Sequence, residues 1–167
     1  TKLVKVDLNG KVSKLTKSGL VNDFSVSPDG KYLLYSTPPS ELSAYLPYKK
    51  WGSTYNIVNI DNPSDIYNLP SLKDKINLPK SKDSVPIGAR LVKWLPSQNA
   101  TITWVEASDK GDMSLPQTYH DHIYKLESPF SNHKELIHQV TWRVHDILWG
   151  LSGVGILQDW RYDSKQA

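Results

Sequence analysis

Apolar residues in this chain recur at every second position, and this period-two alternation favours β-strands from one end to the other. No stretch keeps helical spacing for three turns. Short sets of Pro, Asp, Asn, Gly and Ser separate the alternating stretches, and these residue types favour tight turns. The alternation therefore predicts an all-β fold of about twelve strands, most of them joined by tight turns.

Pairs of alternating stretches flank these turns and are predicted to form hairpins. In "DFSVSPDGKYLLYS" (23–36), the turn Ser27-Pro28-Asp29-Gly30 leads into a strand that is apolar on both faces, as inner strands of a sheet are. Near the start, Asn9-Gly10 is a strong hairpin signal because both residues tolerate positive φ. The predicted hairpins span 3–16, 23–37, 54–69, 89–107, 122–139 and 142–162.

Two connections, 38–53 and 70–86, are longer than a turn. Both are rich in Pro and Lys, so we expect them to lie on the surface. Within the second, "SLKDKINL" (71–78) is compatible with a single helical turn.

The strands fall into a repeating unit. Residues 24–69 and 89–139 each hold four strands in the order hairpin, connection, hairpin, and the units begin about 65 residues apart. Repeated units of four antiparallel strands are typical of β-propeller blades. We therefore predict one partial propeller over 1–167, and the alternative is a sandwich or barrel of similar strand count. The predicted boundaries are a half blade at 1–18, blades at 20–70 and 86–139, and a half blade at 140–163.

Composition excludes several function classes. The net charge is +3, and the lysines are scattered rather than clustered, so we expect no nucleic-acid partner. The absence of Cys excludes a disulfide framework, a thiolate zinc site and a Cys nucleophile. No apolar run approaches the ~20 residues that a membrane-spanning helix needs, so no membrane span is expected. The sequence does not determine the cellular compartment, and a periplasmic or secreted location is the working hypothesis.

One segment has the composition of a metal site. His120 and His122, on either side of Asp121, would share one face of a strand and need a third ligand from a neighbouring strand. The alternative is that these residues are the polar start of a strand, and we favour it. The remaining histidines are isolated in sequence and are expected to be packing or surface residues: His133, His138 and His145. We therefore predict neither a metal site nor a cofactor.

Two further segments contain residue types that hydrolases use in catalysis. Glu106, Asp109 and Asp112 crowd into one loop, whereas general acid–base catalysis needs carboxylates that face each other across a cleft. We expect these three carboxylates to be solvated. The nearest approach to a hydrolase nucleophile motif is 150–153, "GLSG", which lacks the second Gly at the required place and is predicted to be a hairpin turn. No catalytic residue is predicted.

The chain is rich in aromatic residues, with six Trp and nine Tyr. Trp94 and Trp104 lie in successive strands of one unit and are expected to fill the space between sheets, with ligand stacking as the alternative. Asn99-Ala100-Thr101 is a glycosylation sequon, which matters only in a eukaryotic secretory context.

The stretch "PIGARLVKWLPSQNATITWVEASDKGD" (86–112) resembles the propeller of glutamyl endopeptidase-like members of the prolyl oligopeptidase superfamily of serine peptidases. That family shows Gly-x-Arg-x-x-x-Trp, a turn, and then Thr-x-x-Trp-Val-Glu-Ala-x-Asp-x-Gly-Asp. The matching residues are Gly88, Arg90, Trp94, Thr101, Trp104, Val105, Glu106, Ala107, Asp109, Gly111 and Asp112. The resemblance covers most of 23–165, with His120 where the family usually has Arg and Trp51 where it has Phe. The final segment 160–166 departs from the usual ending by lacking Lys-Thr-Arg.

The resemblance implies a function by position. In this family the propeller covers the active site of a C-terminal α/β-hydrolase domain and restricts or orients peptide substrates. The Ser–Asp–His triad lies in that following domain, and no residue here matches it, so no catalytic residue is carried over. The alternative function is a TolB-like propeller that binds a protein or peptide. Because a cut propeller exposes apolar faces and strand edges, we also expect the end hairpins, 3–16 and 142–162, to pair within the chain or between copies in a homo-oligomer.

Overall fold

The computed structural model describes residues 1–39, 42, 44–131 and 133–162. Its twelve strands are β1 (Val4–Val6), β2 (Val12–Lys14), β3 (Asp23–Val26), β4 (Tyr32–Thr37), β5 (Thr54–Asn59), β6 (Ile66–Asn68), β7 (Arg90–Trp94), β8 (Thr101–Ala107), β9 (Asp121–Glu127), β10 (Glu135–Val140), β11 (Arg143–Trp149) and β12 (Gly155–Trp160). Among the described residues, the sole helical element is a 3-10 turn at Tyr48–Lys50. The all-β prediction is confirmed.

The strands form four antiparallel sheets in chain order. The first sheet has the order β3-β4-β5-β6 and the second sheet has the order β10-β9-β8-β7. The N-terminal hairpin, β1-β2, and the C-terminal hairpin, β11-β12, each form a two-stranded sheet. All six predicted hairpins and both predicted four-stranded units are confirmed, and β4 is a buried inner strand as its sequence indicated.

The predicted helical turn at 71–78 is wrong. Leu72 pairs with Ser53 in an isolated β-bridge, and the backbone N–H groups of Lys73 and Lys75 donate to the carbonyls of Ile87 and Lys50. These long-range hydrogen bonds use the N–H groups that a helix would have bonded locally. The described residues of the two long connections are mostly exposed or half-buried, as expected, although Gly52 and Pro86 are buried. Residues 40, 41 and 43 of the first connection, Asn132, and the final segment 163–167 lie outside the described residues.

Equivalent turns of the two larger sheets lie side by side. In the turn between β3 and β4, the Ser27 hydroxyl donates to the Asp29 carboxylate over 2.6 Å, and Gly30 takes the positive φ of 74° that a glycine accepts without strain. The backbone N–H of Asp29 donates over 3.0 Å to the carbonyl of Asn99, in the turn between β7 and β8. The indole N–H of Trp94, on β7, reaches the carbonyl of Ser25, on β3, over 3.4 Å. The first strands of both sheets therefore lie close together.

A continuous apolar layer separates the first sheet from the second sheet. Its buried members are Leu34, Ile57, Leu69, Ala89, Ala100, Ile102, Trp104, Leu126 and Phe130. The ring of Tyr32 meets the ring of Phe130 edge-on, with 5.1 Å between centroids. Trp104 is buried in this layer and Trp94 packs against it, so the predicted core packing of both indoles is confirmed.

The two end hairpins cover the outer faces of the larger sheets. Leu15 and Leu3 pack on the face of the first sheet that carries Leu33, Tyr35 and Val58. On the other side of the molecule, the C-terminal hairpin packs on the second sheet through a cluster of Val105, Ile123, Val140, Val144 and Ile147. The layers therefore follow chain order: N-terminal hairpin, first sheet, second sheet, C-terminal hairpin.

Candidate functional site

Charged side chains gather inside the protein where the second sheet meets the C-terminal hairpin. We call this group the ion cluster, and its members are Arg90, Asp109, His120, Asp121 and Arg143. Arg90 begins β7 and Arg143 begins β11, while Asp109 lies in the loop before β9 and Asp121 begins β9. The cluster therefore joins the second sheet to the C-terminal hairpin.

Arg143 is the centre of the ion cluster. Its Nη2 atom lies 2.6 Å from Oδ2 of Asp109, and its Nη1 atom lies 2.9 Å from Oδ1 of Asp121. Nη1 also donates to the carbonyl of His120 over 3.0 Å, and Nε donates to the carbonyl of Asp83 over 2.9 Å. A planar guanidinium with fixed donors is suited to such a multi-point contact.

The two buried carboxylates have further partners. Asp121 accepts the backbone N–H of Val144 over 2.8 Å, and Nη2 of Arg90 lies 2.6 Å from its Oδ2 atom. The Arg90 contact is an ion pair without an aligned hydrogen bond, because neither Nε nor Nη2 of Arg90 meets hydrogen-bonding geometry. Asp109 accepts the backbone N–H of Gly111 over 2.9 Å and lies 2.6 Å from Nδ1 of His120. The two guanidinium groups and the two carboxylates carry equal and opposite charge. The cluster therefore acts as a structural joint that links the second sheet to the C-terminal hairpin.

The prediction that the acidic loop is solvated is wrong for Asp109, which is fully buried. The loop turns back at Gly111 and points Asp109 at Arg143, whose charge offsets the loss of hydration. Asp112 is outside the cluster. The hydroxyls of Ser81 and Ser114 donate hydrogen bonds to its carboxylate and lower the pKa of this group below the ordinary value. Glu106 accepts the indole N–H of Trp104 over 2.6 Å and pairs with Lys134. The three carboxylates therefore do not converge on one site.

The two histidines of the 120–122 segment also contact different groups. His120 is buried against Asp109, just before β9 begins. On β9, Nδ1 of His122 lies 3.2 Å from the hydroxyl of Tyr124, and its Nε2 atom lies 3.0 Å from the side-chain amide of Gln139. The described residues hold no group of three His, Cys, Asp or Glu side chains that could bind a metal ion. Residues 150–153 form the turn of the C-terminal hairpin, as predicted.

Sequence reasoning missed the ion cluster. Its members are far apart in the chain: 34 residues separate Asp109 from Arg143, and 22 separate Asp121 from Arg143. One signal was available, because the chain has only three Arg against 17 Lys, and two of the three are in the cluster. Arg is the preferred cation for buried, multi-point ion pairs.

The surface has a cleft beside each of the two end hairpins. One of about 350 Å³ lies beside the ion cluster and is lined by Arg90, Leu91, Arg143 and Trp160, among others. A larger cleft of about 720 Å³ lies between the N-terminal hairpin and the first sheet, where burial raises the pKa of the Tyr35 hydroxyl.

The loop that carries Asp109 packs closely against Val85 at Gly111, and a substitution there tests how much this close packing contributes to stability. A Cβ at Gly111 would collide with the backbone carbonyl oxygen of Val85, and Gly111 has a φ of 81°. We expect Gly111→Ala to lower the free energy of unfolding by about 2–3 kcal/mol, because strained φ and a backbone clash add together. Gly10→Ala is the matched control, with the same φ of 81° and no atom within 4 Å of the added Cβ. It should cost about 1 kcal/mol. Urea unfolding measures both, and equal losses would show that the close approach to Val85 is unimportant.

The sheets and the ion cluster together define an all-β protein. It contains antiparallel four-stranded sheets, and a buried network of ion pairs links the second of them to the C-terminal hairpin. Among the described residues, no helix has the length and apolar character needed to cross a membrane.

Comparison with curated proteins finds a protein of Oryza sativa subsp. japonica described as "Probable glutamyl endopeptidase, chloroplastic". The two are 23% identical over 168 residues, which covers 99% of this chain and 18% of the rice protein. The chain therefore spans less than a fifth of that relative, and the weak similarity indicates a partial relation to a glutamyl endopeptidase-like protein. No protein-family model and no solved structure matches the chain.

Proposed function

We propose that this chain is a non-catalytic β-propeller segment of a glutamyl endopeptidase-like serine peptidase of the prolyl oligopeptidase superfamily. Its sheets cover the active site of a C-terminal α/β-hydrolase domain and restrict or orient peptide substrates. The observation that carries the proposal is the similarity to the rice protein, which runs over 99% of this chain.

The order of the sheets supports a propeller arrangement. Each sheet is built from strands that are consecutive in the chain, and successive sheets pack face to face in chain order. Equivalent turns meet at Asp29 and Asn99, and equivalent first strands meet at Trp94 and Ser25. Sheets that repeat in the same orientation are what a radial array of blades requires.

The residues of the 86–112 resemblance have internal, structural positions. Trp104 and Ala89 are buried in the layer between the sheets, and Asp109 and Arg90 belong to the ion cluster. Their partners are other residues of this chain, so this segment supplies shape and rigidity. The bond-breaking groups of the proposed peptidase would come from the hydrolase domain.

The reading frame around residues 1–167 tests the parentage. We expect a downstream segment with a Gly-x-Ser-x-Gly nucleophile turn between a strand and a helix, followed by the Asp and His of a triad. A stop codon directly after this region, or a downstream segment without that motif, would contradict the proposal.

The covering role is tested on the full-length peptidase with two substrates, a short Glu-containing peptide and a folded protein with the same sequence in a loop. The complete enzyme should cleave the short peptide and spare the folded protein. A variant lacking residues 1–167 should lose this preference, while replacement of the nucleophile Ser by Ala abolishes both activities and controls for contaminants. An unchanged preference would contradict the covering role, and hydrolysis by the 167-residue chain alone would contradict its non-catalytic nature.

A TolB-like binding module is the second candidate, and the apolar surface favours it. Phe24 and Leu151 are among several large apolar side chains exposed on the described surface. This candidate predicts a protein or peptide ligand that binds the 167-residue chain in isolation and is released by Phe24→Ala.

A further inference from the structure

The two larger sheets have two unlike ends. Each sheet contains four antiparallel strands that are consecutive in the chain, so successive links between strands lie at alternate ends. One end, which we call the turn end, has the four short links 27–31, 60–65, 95–100 and 128–134. The other end, which we call the connection end, has the three long links 38–53, 69–89 and 108–120.

The three long links at the connection end form one continuous surface. The backbone N–H of Lys75 donates over 2.9 Å to the carbonyl of Lys50, which joins the second link to the first. The backbone N–H of Val85 donates over 3.1 Å to the carbonyl of Gly111, which joins the second link to the third. Because equivalent turns also lie side by side at the turn end, both sheets point in the same direction.

Lysines that are scattered in the sequence lie together at the connection end. Its three links contain seven of the 17 lysines. Six of these are exposed and form no ion pair with a described residue: Lys49, Lys50, Lys73, Lys75, Lys80 and Lys110. The nearby carboxylates have local partners, since Asp74 accepts the backbone N–H of Gly52 and Asp109 belongs to the ion cluster. The turn end has the opposite balance, with three Asp against two Lys.

Exposed apolar side chains show the same contrast between the ends. Those at the connection end include Leu42, Tyr48, Ile76, Ile87 and Tyr119. Ile76 and Ile87 are 56% and 51% exposed, and they line a cleft of about 380 Å³ together with Lys73 and Lys110. The described residues of the four turns expose no large apolar side chain. An apolar surface mixed with unpaired lysines is typical of a protein–protein contact.

The strand count determines the end at which the chain enters and leaves each sheet. Four is an even number, so β3 and β7 begin at the connection end and β6 and β10 finish there. In the proposed peptidase the hydrolase domain follows sheets of this kind in the chain. The polypeptide therefore reaches the hydrolase domain from the connection end.

We propose that the connection end is the surface that contacts the hydrolase domain. Its lysines pair with carboxylates of that domain, and Ile76 and Ile87 pack against apolar side chains beside them. Protein carboxylates fit better than nucleic-acid phosphates, because the three long links contain no Arg, which is the preferred partner of phosphate. This inference rests on the proposed function and specifies which end of the sheets covers the active site. It uses the two complete sheets and neither of the end hairpins.

Carbodiimide cross-linking of the full-length peptidase tests the contact directly. This reagent joins a lysine amine to a carboxylate that touches it, and mass spectrometry identifies the linked residues. We expect links from Lys73 and Lys110 to Asp or Glu residues of the hydrolase domain. Lys31 is the internal control, because it is exposed at the turn end and should form no link to that domain.

Charge reversal tests whether the contact controls access to the active site. In the full-length peptidase, Lys73→Glu combined with Lys110→Glu should reduce the preference for a short peptide over a folded protein by more than about tenfold. The reason is that carboxylates would then face carboxylates across the contact. Lys31→Glu is the matched control at the turn end and should keep the wild-type preference.

Two further variants separate charge from folding. Lys73→Arg combined with Lys110→Arg keeps both charges and should keep the preference. Circular dichroism verifies that each variant is folded, and Lys73→Gln combined with Lys110→Gln replaces the Glu variant if that variant is not.

The outcomes distinguish this inference from the proposed function. Links to the hydrolase domain from Lys31 instead of Lys73 and Lys110, or an equal loss of preference in Lys31→Glu, would overturn the contact and leave the covering role intact. Nucleic acid that copurifies with the wild-type peptidase and is lost from the Glu variant would also overturn it. A reading frame without a hydrolase domain would contradict the proposed function and this inference together.

Discussion

Arg143→Met is expected to lower the free energy of unfolding by about 3–5 kcal/mol, the usual cost of removing one partner from a buried ion pair. Among the described residues, Arg143 is the only hydrogen-bonded partner that Asp109 and Asp121 share, and both carboxylates are fully inaccessible to water. Met fills much of the same space, so the loss reports the uncompensated charges rather than a large cavity. The C-terminal hairpin should detach first, because Arg143 is the first residue of β11.

Urea unfolding followed by Trp fluorescence measures this effect. Lys5→Met is the matched control, since it breaks the exposed Lys5–Asp61 pair and should cost less than about 1 kcal/mol. Adding Asp109→Asn to Arg143→Met should recover part of the loss, because it removes one of the two unpaired charges and keeps an oxygen for the N–H of Gly111. If Arg143→Met were no more harmful than Lys5→Met, the ion cluster would have no role as a joint.

Trp104→Ala is the second large effect, with an expected loss of about 3–5 kcal/mol. Trp104 is 1% exposed in the middle of β8, and its ring packs on Tyr124 with 5.9 Å between centroids. Truncation leaves a cavity between the two larger sheets and removes the indole N–H that Glu106 accepts. Both larger sheets should therefore be destabilised together.

Differential scanning calorimetry measures this loss as a fall in Tm. Trp104→Phe should be intermediate, because it keeps most of the ring and loses the hydrogen bond to Glu106. Tyr48→Ala removes an exposed aromatic ring outside the layer and should change stability by less than about 0.5 kcal/mol. Equal losses for Trp104→Ala and Tyr48→Ala would contradict the assignment of Trp104 to the core.

The strands and hairpins could be predicted because the information for them is local. Alternation in "KYLLYST" and the turn Ser27-Pro28-Asp29-Gly30 determine which residues pair in β3 and β4, and no distant residue is needed. The same holds for Asn9-Gly10, which closes the N-terminal hairpin.

The ion cluster could not be predicted in this way, because its partners are brought together only by sheet packing. Asp109 lies in a loop with Lys110 and Asp112, a composition typical of solvated turns, and its burial depends on Arg143. The prediction of a helical turn at 71–78 was wrong for a related reason. Leu72 pairs with Ser53, which is distant in the sequence, and sequence periodicity does not reveal such a pairing.

Pairing between strands adjacent in the sequence also sets the order of folding. Each sheet pairs only strands that are consecutive in the chain, which favours local formation, whereas contacts between sheets require both partners to exist first. On the ribosome, all four strands of the first sheet leave the exit tunnel before β7 does. Arg143 follows every other member of the ion cluster in the sequence, so the cluster can be complete only after β11 has been synthesised.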